Sequence, residues 1–188
     1  MAWRYFQVEL GRARAAQAEL AAFLRRTDGP LAVWAPVLGF ASNTALVLLP
    51  PDHRTDVLGA PGVVGGEAHD LEPTLRPTAA EPPPAGGIYV HNWFTVDAEG
   101  ADEFVRLSGE AWPDFETRFE ARIYGLFLAA ESEADLAAGQ RRLLLMTRYR
   151  DLGEWQKSRD PTTDAWATFL RRRELTRVSL ARACALIP

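Results

Sequence analysis

Residues 3–8 read W-R-Y-F-Q-V, and residues 91–96 read H-N-W-F-T-V. In the first run Arg4, Phe6, Val8 and Leu10 fall on one face and Trp3, Tyr5, Gln7 and Glu9 on the other. That period of two marks a strand. The second run alternates in the same way, with His91 and Trp93 opposite Asn92 and Phe94. Each run leads through a short acidic or glycine-containing turn into a helical pattern, then into apolar strand-like runs. The chain thus begins its fold twice within 188 residues, a length that suits one large domain or two small ones.

Outward from the second run, Asp97-Ala98-Glu99-Gly100 is a turn. Residues 101–119 form an amphipathic helix with Phe104, Leu107, Ala111 and Phe115 on one stripe. Pro113 inside it predicts a kink or the end of a first segment. Strands at 122–130 and 142–149 flank a polar loop with room for one helical turn. A short helix follows at 151–159, using Leu152 and Trp155. Asp160-Pro161 breaks it, and Thr163 or Asp164 caps a helix reaching Leu175, with Trp166, Phe169 and Leu170 inward. Residues 178–187 are a last strand. The order β-α-β-β-α-β is the ferredoxin-like split βαβ arrangement.

The first half reads β-α-β-β: a helix at 12–26 carrying Leu20, Phe23 and Leu24, a stop at Thr27-Asp28-Gly29-Pro30, then strands at 31–40 and 45–49 around a Ser42-Asn43 hairpin turn. Residues 51–87 are rich in Pro, Gly and small residues and read as an arm and linker. Within it, 70–76 predicts a short edge strand, because Pro73 argues against a central position. The expected division is therefore an incomplete first half at 1–50, the arm at 51–87 and a complete second half at 88–188. Each unit is an antiparallel sheet with helices on one face, so the bare faces can cover each other around an enclosed space.

The stretch 88–96, followed by D-A-E-G-A-D-E-F and E-A-W-P-D-F, resembles the opening of NIPSNAP-type domains. Asp151, Glu154, Trp155 and Gln156 (D-x-x-E-W-Q) add to the likeness, and L-R-P-T at 75–78 resembles the join between two tandem modules of that family. Where family strands read Y-E-L-R-T-Y, this one reads Y-V-H-N-W-F, so the charged pair of that strand has no counterpart. The resemblance implies an α+β fold: tandem ferredoxin-like units forming an intramolecular version of the dimeric α/β barrel. It implies no particular reaction.

By the repeat, Trp3 and Tyr5 occupy the positions of His91 and Trp93, so all four should face the space between the sheets. Trp34, Tyr124 and Tyr149 on the central strands are further lining candidates, and Arg148 is either an anion clamp or an outward arginine. Two readings follow. In one, the aromatics bind, and His91 helps to transform, a small apolar or aromatic metabolite, imidazole being the side chain that titrates near neutral pH. In the other, the barrel is filled and the protein is a non-catalytic interaction partner. Some superfamily relatives degrade haem with Asn, Trp and His in one pocket, which makes a haem-binding monooxygenase a third reading; here His91, Asn92 and Trp93 are contiguous, with Asn92 facing away.

Elsewhere the sequence offers little chemistry. No metal or cofactor site is legible: His53 and His69 beside Asp52 and Asp70 lack ligand spacing and read as loop residues. Gly62, Gly65 and Gly66 form no phosphate loop. The single cysteine, Cys184, lies in an apolar run and reads as core. The R-R-R run at 171–173 reads as a solvated helix face. A net charge of −4 argues against nucleic acid, and no stretch approaches the ~18 to 20 apolar residues of a membrane span. The expectation is a cytoplasmic protein, with a small molecule or a second copy of itself as partner.

Overall fold

A computed structural model of the protein describes residues 2–12, 15–27, 31–51, 53–159 and 164–188, the side chains at 164–166 excepted. The expected breaks at Asp28-Gly29-Pro30 and Asp160-Pro161, the Thr163 or Asp164 cap and the inward turn of Trp166 lie outside what is described. The first half contains β1 (Trp3–Leu10), α1 (Ala16–Thr27), β2 (Ala32–Leu38), β3 (Thr44–Leu49) and β4 (Val63–Pro73). The second contains β5 (Ile88–Asp97), α2 (Ala101–Arg118), β6 (Ala121–Ala129), α3 (Glu133–Ala137), β7 (Gln140–Tyr149), α4 (Leu152–Lys157), α5 (Asp164–Glu174) and β8 (Thr176–Leu186). Among the described residues, no helix is long and apolar enough to cross a membrane.

All eight strands close into one antiparallel barrel, β1-β3-β2-β8-β5-β7-β6-β4. Each half contributes four adjacent strands in the ferredoxin-like order, and the halves join at two seams. At one, Trp34 of β2 pairs with Leu186 of β8; at the other, Leu71 of β4 pairs with Ala129 of β6. The fold is thus the α+β, tandem ferredoxin-like barrel that the repeat implied. Closure leaves no sheet edge along these seams, which satisfies backbone groups that an open sheet would expose.

Two local expectations are corrected. The strand placed at the edge over 70–76 runs instead over Val63–Pro73 and lies between β1 and β6. Pro73 is tolerated because it ends the strand, beyond the last β1 pair at Leu71. The helical segment that Pro113 was expected to kink or end does not end there: α2 is continuous across it. Pro113 is exposed, so water can take the Gly109 carbonyl that a proline leaves without a donor.

Alternation in every strand sorts the apolar side chains. Trp3, Tyr5, Trp34, Leu46, Leu48, Leu71, Tyr89, Phe127, Leu144, Met146 and Cys184 point into the lumen. The outer face of the first half (Phe6, Val8, Leu10, Val33, Val47) is covered by Leu20 and Leu24 of α1 and by Val57 and Ala60 of the following loop, which stand where a second helix would lie. The outer face of the second half (Val90, Phe94, Leu143, Leu145) packs under α2 and α5. The arm after β4 crosses one end of the barrel. Tyr89 Oη donates to the Pro84 carbonyl, Tyr124 Oη to Glu81 O at 2.8 Å, and Arg148 Nε to Gly86 O at 2.8 Å.

Candidate functional site

The strand periodicity brings Trp3, Tyr5, Trp34, His91, Trp93 and Tyr124 into one lumen, as read from the sequence. Their rings interlock. His91 meets the edge of Trp34 with centroids 4.8 Å apart, and Tyr5 Oη lies 3.0 Å from His91 Nδ1. His91 has no accessible surface, and Trp34, Tyr5 and Tyr89 have almost none. Burial pushes the His91 pKa down to about 3, so the ring is neutral at physiological pH. Its Nε2 and the Trp34 Nε1 are buried without a hydrogen-bond partner among the described residues. The packing leaves no room for a ligand beside the imidazole.

The remaining site candidates lie elsewhere. Arg148 sits at the barrel end, tied to the arm through Gly86. Tyr149, expected between the sheets, is on the outer face, its ring edge-on to Phe115 with centroids 6.1 Å apart. The strand register puts it there: Arg148 takes the inward turn at the end of β7, and its neighbour must face out. His69, read as a loop residue, belongs to β4 and packs against Trp93 at 4.9 Å.

Open space occurs on that outer face. Between the β7-β5-β8 surface and helices α2, α4 and α5 lies a cleft of about 350 Å³. Asn92 forms the centre of its floor, between Leu145 of β7 and Ala181 of β8. Asn92 Oδ1 lies 3.2 Å from Ser179 Oγ. Thr147 adds a second polar group to the floor, and Trp112, Phe115, Trp155 and Phe169 form the walls.

Arg172 of α5 reaches into this cleft. Its guanidinium carbon is 4.7 Å from the Phe169 centroid and 5.0 Å from those of Phe94 and Phe104, and Nη1 donates to Ser108 Oγ at 3.2 Å. Desolvation lowers its pKa to about 10, Tyr149 working against that shift and Arg159 with it, so it is a cation at neutral pH. This corrects the reading of the R-R-R run: Arg171 and Arg173 are exposed, while Arg172 turns inward. Its position three residues after Phe169, on the apolar stripe, was the available signal. Asn92 was dismissed because it faces away from His91, although the face it occupies is the one with the space.

A larger depression, about 720 Å³, lies on the surface around Glu120, Arg150, Glu154 and Lys157. Those four charges pair with one another, as in Lys157 Nζ to Glu154 at 2.6 Å. Among the described residues, no group of His, Cys, Asp and Glu could hold a metal ion.

The chain matches no protein-family model and no curated protein. Solved structures do resemble it. An anthrone oxidase-like protein superposes with a TM-score of 0.65 at 14% identity, over 100% of this chain and 92% of that one. A ferredoxin-fold protein related to antibiotic biosynthesis monooxygenases, from Listeria monocytogenes, gives 0.52 at 10% identity, over 100% and 96%. A heme-degrading enzyme from the same organism gives 0.53 at 10% identity, over 97% and 98%. Such likeness defines the fold, the dimeric α/β-barrel ferredoxin fold, here completed within one chain.

The heme-degrading neighbour makes haem a group to test against these residues, and they do not fit it. The described lining of the cleft contains no histidine or cysteine, and its one phenol, Tyr149, is buried with its pKa raised by desolvation. His91 is sealed inside the barrel, and the partly exposed His69 packs against Trp93 rather than lining the cleft.

Proposed function

We propose that this protein binds a planar aromatic small molecule in the cleft between the β7-β5-β8 face and helices α2, α4 and α5. The observation that carries the proposal is a cavity of about 350 Å³ walled by Trp112, Phe115, Trp155 and Phe169, with Asn92 and Thr147 on its floor. Apolar walls with a few fixed polar groups are the usual make-up of a ligand pocket. The comparison with an anthrone oxidase-like protein supports a flat polycyclic ligand. The NIPSNAP resemblance bears on the same place: Trp112 of W-P and Trp155 of E-W-Q, two residues that carry it, both line the cleft.

In this reading the His91 cluster is the rigid support beneath the floor, and the metabolite expected between the sheets binds on their outer side. Among the described residues of the first half, Val57 and Ala60 pack in the corresponding layer. The burial of the lumen aromatics also supports the second reading, a non-catalytic interaction protein, which requires the cleft to bind no small molecule. Titration with 1,8-dihydroxyanthraquinone, followed by tryptophan fluorescence, separates the two. Saturable quenching at micromolar probe is expected, weakened at least tenfold by Ala181→Trp at the exposed side of the floor. No quenching, or quenching indifferent to that substitution, removes the proposal.

A further inference from the structure

We infer that the ligand of this cleft is an anion, a planar aromatic carboxylate whose oxygens pair with Arg172. This rests on the cleft reading above and adds the charge of the ligand to it. The protein is acidic overall, with 25 Asp and Glu against 21 Lys and Arg. Arg159, Arg172 and Arg173 line the cleft, and its described lining contains no Asp or Glu.

Several other arginines of this chain meet carboxylates, while Arg25, Arg148 and Arg182 donate to neutral oxygens. Arg76 meets Glu116 at 2.8 Å, Arg118 meets Asp114 at 2.6 Å, and Arg142 meets Asp135 at 3.0 Å. Arg172 is half-buried, and its side-chain hydrogen bond goes to a neutral hydroxyl, Ser108 Oγ. Among the described residues no carboxylate lies within ion-pair distance of it. A desolvated cation without a counter-ion is unfavourable unless something completes it. Three phenyl rings lie over the guanidinium carbon and stabilise the charge through their faces. The ring faces accept no in-plane N–H, and the guanidinium fork matches a carboxylate. A flat aromatic acid supplies both parts: rings for the tryptophan and phenylalanine walls, and an oxyanion for the fork.

The test compares 2-anthracenecarboxylate with its uncharged carboxamide on the full chain. Binding is read by tryptophan quenching, and folding by a thermal melt. The acid should bind at least tenfold more tightly than the amide. Arg172→Met should abolish that preference and leave amide affinity within threefold. Arg172→Lys, which keeps the charge without the fork, should retain the preference with acid affinity lowered about tenfold. Equal affinity of acid and amide in the wild type, both weakened by Ala181→Trp, overturns the inference and leaves the cleft reading standing. Binding of neither probe overturns both. If Arg172→Met does not fold, Arg172→Lys decides: unchanged acid affinity rules out pairing through the guanidinium.

Discussion

Tyr5 Oη and His91 Nδ1 lie 3.0 Å apart, joining strands that stand diametrically opposite in the eight-strand ring. The two residues come from the opening strands of the two halves, so one hydrogen bond ties the repeat together through the middle of the lumen. Tyr5→Phe keeps the ring and removes the hydroxyl. It strands Nδ1 in a site without water access, which costs about 1–3 kcal/mol. Urea unfolding should show this as a lower midpoint with an unchanged slope. A loss under about 0.5 kcal/mol would mean the bond is not structural, since even an ordinary buried hydrogen bond contributes that much.

The same burial makes stability depend on pH. The folded His91 pKa, about 3, lies below its ordinary value of 6.5. Below pH 6.5 the unfolded chain takes up a proton that the folded chain refuses. Stability is therefore full above that pH and falls as pH drops toward 3, by about 1.4 kcal/mol per pH unit at the steepest. His69, also lowered by burial, acts in the same direction. Denaturant melts from pH 7 to pH 4.5 should show the slope, and His91→Gln should flatten most of it. A variant with the wild-type slope would assign the effect to other groups.

Three donors hold the arm across the barrel end, and each accepting carbonyl belongs to the segment between Glu81 and Gly86. Tyr124→Phe removes the bond to Glu81 O at a cost of about 0.5–1.5 kcal/mol. The loss should be local as well as global, because the arm has few other buried anchors. Amide exchange in residues 79–87 should accelerate by more than the global stability change accounts for. Uniform acceleration across all elements would show that the arm unfolds only with the barrel.

The doubled opening made the architecture legible, because period two and the helix stripes depend on local sequence alone. β4 was partly hidden: Gly65-Gly66 and Pro73 dilute its β signal, and a closed barrel pairs it regardless. The lumen aromatics were legible for the same reason as the strands. What sequence could not supply was volume. Alternation places Trp34 and His91 inside and Asn92 outside, but whether a face is filled or hollow depends on how helices ride over it. Helices α4 and α5 stand off the second sheet, whereas a short loop seals the first. Arg172 was obscured by Arg171 and Arg173, which give the whole run the look of a solvated face.

The junction between arm and β5 gives a last test of how tightly the second half is built. Gly87 has φ of 72°, and a Cβ there would run into the Tyr149 carbonyl at the end of β7. Gly139, before β7, has φ of 58° with open space around its Cβ position. The two share a left-handed backbone and differ in room, so alanine at each separates strain from collision. Gly139→Ala should cost about 1 kcal/mol, the left-handed penalty of an L-residue. Gly87→Ala should cost more, roughly 2–4 kcal/mol, because it also forces β5 from β7 where Ile88 pairs with Tyr149. Thermal melts of the pair measure the difference directly. Equal losses would mean that the Gly87 junction yields without disturbing the strand pair, and that the β5 start is looser than its pairing suggests.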